Sequence, residues 1–167
     1  MLLTLRSPAF PAGGELPARF AAAGENRSPP LEWDGVPGTA RSLVLLVHDP
    51  DAPDPAAPRR DFVHWIVYDL PTTPNRLDEG ASGRSLPTGA REGQNDAGGV
   101  GYTGPKPPTG RHRYFFELTA LDVTLGDRGP LDRTGLARAM AGHVLATAEL
   151  VGTYAAAPSA PDRAGAA

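Results

Sequence analysis

The chain has no cysteine among its 167 residues. Disulfide staples, thiolate zinc sites and thiol nucleophiles are therefore excluded. It holds a single lysine, Lys106, no dense run of Lys or Arg, and a formal net charge of −3. A face for nucleic acid or for anionic membrane surfaces is not expected. No stretch of about 18 apolar residues is present, so no membrane-spanning helix is expected. Met1 to Arg6 (MLLTLR) lacks a basic leader followed by a long apolar run. That points away from a signal peptide and toward the cytoplasm. The G-x-S-x-G elbow of α/β hydrolases is missing. So is any short-spaced histidine pair such as H-x-x-x-H, which marks many zinc sites. Neither a metal nor another cofactor is expected.

Glycine and proline are plentiful, at 20 and 19 residues. Proline cannot donate to a sheet ladder or sit inside a helix, so many turns and short elements follow. With 40% hydrophobic residues the chain nevertheless reads as folded. Its length fits one domain, expected over 1–154 with a flexible tail over 155–167.

Leu2 to Arg6 reads as a first strand, and 11–41 as turn-rich with apolar anchors at Leu31, Trp33 and Val36. Ser42 to His48 (SLVLLVH) is nearly all apolar, which predicts a strand buried on both faces. Phe62 to Leu70 is aromatic and β-branched, hence strand-like. Strict alternation puts Phe62, His64, Ile66 and Tyr68 on one face and Val63, Trp65 and Val67 on the other. Residues 71–111 form a polar, Gly-rich stretch expected to hold short strands and a binding loop. His112 to Asp122 is the third strong strand, with His112, Tyr114, Phe116 and Leu118 on one face. Leu131 to Ala148 reads as a helix, with Thr134 as N-cap and Leu136, Met140, Val144 and Ala148 recurring every four residues. Glu149 to Tyr154 is a short final strand.

The candidate chemistry starts from the histidines. His64 and His112 sit on separate strands beside aromatic residues. Asp49-Pro50-Asp51 ends a third strand, and Gly101-Tyr102-Thr103-Gly104-Pro105 precedes the strand that carries His112. Strand ends and a Gly-rich loop can meet at the mouth of one pocket. Imidazoles donate hydrogen bonds or carry charge toward an anion, and glycines let backbone N–H groups approach it. A carboxylate such as Asp49 can fix a histidine tautomer. Asp51 reads as a turn carboxylate bonding its own backbone, His143 as a packing residue, and His48 as strand packing or pocket rim. Gly80-Ala81-Ser82-Gly83 is a weak nucleophile motif, and Gly98-Gly99-Val100-Gly101 a weak phosphate loop.

Taken together the motifs resemble the phosphatidylethanolamine-binding protein family, in its bacterial Raf-kinase-inhibitor-like branch. The resemblance rests on Ser7-Pro8-Ala9-Phe10, Ser28-Pro29-Pro30-Leu31-Glu32-Trp33, Asp49-Pro50-Asp51-Ala52-Pro53 and Phe62-Val63-His64-Trp65. It continues through Gly101-Tyr102-Thr103-Gly104-Pro105 and Gly110-Arg111-His112-Arg113-Tyr114. Glu149 to Tyr154 closes it, so it spans nearly all of residues 2–154. It implies a mostly β fold, an antiparallel Greek-key β-sandwich with a C-terminal helix. It also implies an anion pocket built by Asp49, His64, Gly104, Pro105, His112 and Tyr114, with Arg113 in a structural salt bridge. His48 stands where bacterial relatives often carry an acid, and Lys106 where cysteine is frequent, so Lys106 is a candidate rim cation.

The leading expectation is a non-enzymatic binding protein for a small phosphorylated or anionic ligand, regulating a partner such as a kinase or protease. The alternatives are a hydrolase with a pocket histidine as general base, or an interaction protein using 71–100 as its interface. A homodimer is expected from the resemblance.

Overall fold

A computed structural model of the chain describes residues 1–157. Its centre is β3 (Ser42–Ala52), whose apolar run is buried on both faces. β4 (Arg60–Leu70) pairs along one edge and β7 (Arg111–Leu121) along the other. β6 (Arg91–Glu92) and β8 (Val144–Ala155) complete a five-stranded antiparallel sheet in the order β6-β4-β3-β7-β8. The long connection after β4 carries the chain to the far side of β3, a crossover of the Greek-key kind. A second antiparallel sheet holds β1 (Thr4–Arg6), β2 (Leu31–Asp34) and β5 (Arg76–Leu77).

Side-chain alternation on β3 builds two cores at once. Leu43, Leu45 and Val47 join Trp33, Trp65, Phe116 and Leu118 between the two sheets. Val44 faces the opposite way and packs with Ile66, Tyr68, Leu121 and Leu136. Leu136 comes from α1 (Arg133–Met140), the single α-helix among the described residues, which covers that outer face. Burying one such leucine is worth about 1.5–3 kcal/mol. No helix among the described residues is long and apolar enough to cross a membrane.

The structure corrects the helix expected over Leu131 to Ala148. The helix stops at Met140, and Gly142 follows at φ +84°, a left-handed conformation that glycine adopts without steric cost. From Val144 the chain is a strand paired with β7 along its whole length. The four-residue recurrence misleads because four is also two strand repeats, so Ala146, Ala148, Leu150 and Gly152 share a face. The N-cap is Asp132, whose Oδ1 accepts from Gly135 N at 2.7 Å; Thr134 falls inside the helix. The helix lies near the C-terminus but a strand follows it. β2 also went unread within 11–41, although Leu31 and Trp33 alternate as a strand requires and are fully buried. Ala155 ends β8 and Ala156 N donates to Gly110 O at 2.8 Å, so the fold runs past 154. The rest of the expected tail, 158–167, lies outside the described residues.

His48 is a structural clamp on the outer face. Its Nδ1 donates to Asp61 Oδ1 at 2.7 Å and its Nε2 to Glu117 Oε2 at 3.0 Å, joining β3 to β4 and β7. Asp61 also holds Arg133 at the start of α1, at 2.7 Å. Both ring nitrogens face carboxylates, which selects the imidazolium. Burial alone would lower its pKa, but the hydrogen bonds from Glu117 and Asp61 and their charges outweigh burial, and the net direction is up. A folded-state pKa above the unfolded value of about 6.5 gives stability that is whole below that value and lost as pH rises through the folded pKa. Urea unfolding from pH 6 to pH 9 should therefore show the wild type losing more stability than His48→Gln. Parallel pH profiles would remove His48 as a charged clamp.

Candidate functional site

A β-bulge aims His64. Val47 pairs with Trp65 while His48 pairs with Val63, so His64 is the extra residue on β4. The bulge overturns the strict alternation expected for Phe62 to Leu70. Val63 packs outward with Ile66 and Tyr68, and Trp65 packs inward between the sheets. His64 lines a cavity of about 320 Å³ together with Asp49, Phe62, His112 and Tyr114. Gly104 and Lys106 contribute a loop wall, Pro53 and Pro107 apolar surface, and Arg60 part of the mouth.

The deepest pair is Asp49 with His112. Asp49 Oδ2 lies 2.5 Å from His112 Nδ1, and both residues are buried. His112 Nε2 lies 2.9 Å from the carbonyl of Thr109. A carbonyl only accepts, so Nε2 must carry a proton. One further proton is shared between Nδ1 and Oδ2, and the pair is net neutral wherever that proton sits. Burial pushes the Asp49 carboxyl up against the lowering pull of the His112 hydrogen bond. Asp49 Oδ1 accepts from Asp51 N at 2.7 Å. The turn-capping role expected of Asp51 thus belongs to Asp49. Asp51 instead grips Arg113, with Nε at 3.0 Å and Nη2 at 2.9 Å, and Arg113 holds its carboxyl below the usual range. Arg113 is the salt-bridge residue expected from the sequence.

His64 is arranged differently. Its Nδ1 donates to Thr103 O at 2.8 Å, which leaves Nε2 with no partner among the described residues. Burial lowers its pKa to about 4, so the ring is neutral at pH 7 and Nε2 carries an open lone pair. Its ring meets the edge of Tyr114 at 5.2 Å between centroids. The Tyr114 hydroxyl is buried and has no hydrogen-bond partner among the described residues, and burial pushes its pKa up, so it stays a neutral donor. Tyr114 lines the cavity, and an orphaned buried hydroxyl in such a residue calls for a partner.

The loop glycine does not play its expected part. Gly104 N already donates to Asn26 Oδ1 at 2.7 Å, so that amide is not free for an anion. A Cβ at Gly104 would sit 2.1 Å from Phe20 O, so the glycine is required by close packing on the 20–22 segment. Pro105 does not line the cavity; its carbonyl accepts from Ala22 N at 2.9 Å and fastens the loop from behind. The structure thus brings Asp49, His64, Gly104, His112 and Tyr114 together and leaves Pro105 outside. Of the weaker motifs, Ser82 Oγ donates to Glu92 Oε1 at 2.5 Å and is a loop staple. Gly99 N donates to Asn95 Oδ1, so the glycine run is a closed turn. His143 sits on the surface beside Asp122. Sequence reasoning missed Arg60, whose guanidinium lies 5.0 Å over the Phe62 ring and 3.3 Å from Asp96. Its position two residues before a strand aromatic was the available signal. Among the described residues no group of three or more His, Asp or Glu side chains is placed to hold a metal ion.

Comparison with known proteins agrees with the fold. The family model described as phosphatidylethanolamine-binding protein matches residues 6–155. A protein of Methanothermobacter thermautotrophicus, known only as a UPF0098 protein, is 45% identical over 154 residues, covering 91% of this chain and 98% of its own. The crystal structure of the phosphatidylethanolamine-binding protein homolog CT736 of Chlamydia trachomatis superposes with a TM-score of 0.84 at 43% identity, over 92% of this chain and 97% of that one. Escherichia coli YbcL, described as a member of the mammalian family, gives 0.84 at 30% identity, over 94% and 100%.

The low pKa of His64 has a consequence for stability. The unfolded chain takes up a proton near pH 6.5 and the folded chain only near pH 4. Stability is therefore lost as pH falls through that window, by an amount on the order of 3 kcal/mol once both states are protonated. His64→Gln should abolish this part of the acid dependence in urea unfolding between pH 7 and pH 4. An unchanged slope would show that His64 titrates normally.

Proposed function

The chain belongs to the phosphatidylethanolamine-binding protein family, and from that premise we propose that its cavity binds small ligands through a phosphate group or similar anion, without chemical turnover. The observation that carries this reading is an unpartnered acceptor, His64 Nε2, beside Tyr114 in an apolar cavity that both residues line, the buried Tyr114 hydroxyl being a donor without a partner among the described residues. A phosphate monoester monoanion answers both. Its P–OH donates to His64 Nε2 and an ionised oxygen accepts from Tyr114. Arg60 and Lys106 at the mouth supply the favourable charge. Apolar walls with a few convergent polar groups are the usual make-up of small-ligand sites.

The same geometry speaks against hydrolysis. A general base needs a free nitrogen near its target proton. His112 Nε2 is committed to Thr109, and Ser82 to Glu92. His64 retains a lone pair, but a conjugate acid near pH 4 makes it a weak base at neutral pH.

Because His64 does not titrate near neutrality, the proton comes from the ligand, whose second pKa is about 6. Calorimetric titration with ethyl phosphate should show tighter binding at pH 6 than at pH 8. Tyr114→Phe removes one hydroxyl and should weaken binding about tenfold or more, the scale of a hydrogen bond to a charged group. Equal affinities for wild type and Tyr114→Phe would contradict the reading.

A further inference from the structure

The carboxylates around the cavity already have partners. Asp49 Oδ1 accepts from Asp51 N and Oδ2 is engaged with His112 in the neutral pair. Asp51 is spent on Arg113. The aromatic walls are partly covered too. The Arg60 guanidinium already lies over the Phe62 ring, and His112 stacks beside Tyr114 with rings 18° apart. The carbonyls of Thr103 and Thr109 accept from the two histidines. The acceptor left over, His64 Nε2, is a neutral nitrogen and provides no countercharge. At the mouth stand Arg60, partly balanced by Asp96, and Lys106, which is exposed and enters none of the ion pairs among the described residues.

Resting on the anion-pocket reading above, we infer that this cavity selects against ligands that carry an ammonium group beside their phosphate, and prefers phosphate monoesters whose organic part is neutral. Lys106 and Arg60 are the residues that set this preference. An ammonium drawn into the cavity would lose its hydration, would meet only a carboxylate already held in the neutral pair with His112, and would stand near two cations. Removing a charge from water without a partner is strongly unfavourable. A neutral ethyl or propyl substituent instead meets Pro53, Phe62 and Pro107, where burial of apolar surface is favourable.

The test compares two ligands that differ only at the amine: ethyl phosphate and O-phosphoethanolamine. Both are titrated into the full chain by calorimetry at pH 6.5 and low salt, with inorganic phosphate as a third probe. The expected result is ethyl phosphate binding about tenfold or more tightly than O-phosphoethanolamine. In Lys106→Gln and Arg60→Gln, both at exposed positions where folding is undisturbed, the gap should narrow as ethyl phosphate weakens and O-phosphoethanolamine does not. O-phosphoethanolamine binding as tightly as ethyl phosphate would overturn the inference and leave the anion pocket standing. A gap that is unchanged in both variants would overturn the role of the two cations. Binding of none of the three probes would overturn the anion pocket itself, and the inference with it.

Discussion

The closed pair between Asp49 and His112 decides what the rest of the site can do. It ties β3 to β7 under the cavity, and Asp51 with Arg113 repeats the tie two residues further along. Because Thr109 occupies the second nitrogen of His112, the pair is electrically neutral in either proton arrangement. A buried charge without a partner would be costly, and an unsatisfied half of the pair nearly as much. The structure avoids both by using every polar atom locally. The consequence is that the two most conspicuous ionisable residues of the site are not its ligand-facing ones. On the proposed reading, recognition passes to the groups left over: Tyr114 Oη, His64 Nε2 and the rim cations.

Two histidines on one sheet titrate in opposite directions for reasons that can be read from their partners. His48 lies between two carboxylates and favours its charged form; His64 lies against a carbonyl and apolar rings and favours its neutral form. The first loses stability toward alkaline pH and the second toward acid. The contribution of these two residues to stability is therefore greatest between the two transitions, where the neutral His64 also keeps its lone pair available. The bulge that makes this possible shifts one residue of β4, leaving His64 inside the cavity while Val63 turns outward.

Much of this was legible in the sequence, and the failures have physical causes. The double-sided burial of β3 followed from an unbroken apolar run, because a half-exposed strand would alternate. His64 and His112 were singled out because they sit on separate strands beside aromatics, and Asp49 because it lies at the end of a third; Tyr114 entered through the family resemblance. The facing of His64 was not legible, since a bulge changes alternation without a composition signal. The helix over Leu131 to Ala148 failed because a four-residue repeat serves both periods, and Gly142 alone marked the change. Gly104 and Pro105 were identified by the family resemblance, but their roles were misread: a glycine required by packing and one exposing its amide look the same in sequence. Arg60 went unnoticed because an exposed arginine at a strand start is ordinary until Phe62 and Asp96 fix it over the mouth.

One histidine is closed and the other open, and side-chain nitrogen NMR reads that directly. Long-range proton–nitrogen spectra of the imidazoles would be recorded from pH 5 to pH 8, with and without inorganic phosphate. The expected result is a neutral His64 protonated on Nδ1 throughout, whose Nε2 resonance moves when phosphate is added, beside a His112 whose Nε2 keeps its proton and does not respond. A His64 that gains charge near pH 6.5, or a His112 Nε2 that loses its proton and shifts with phosphate, would contradict it.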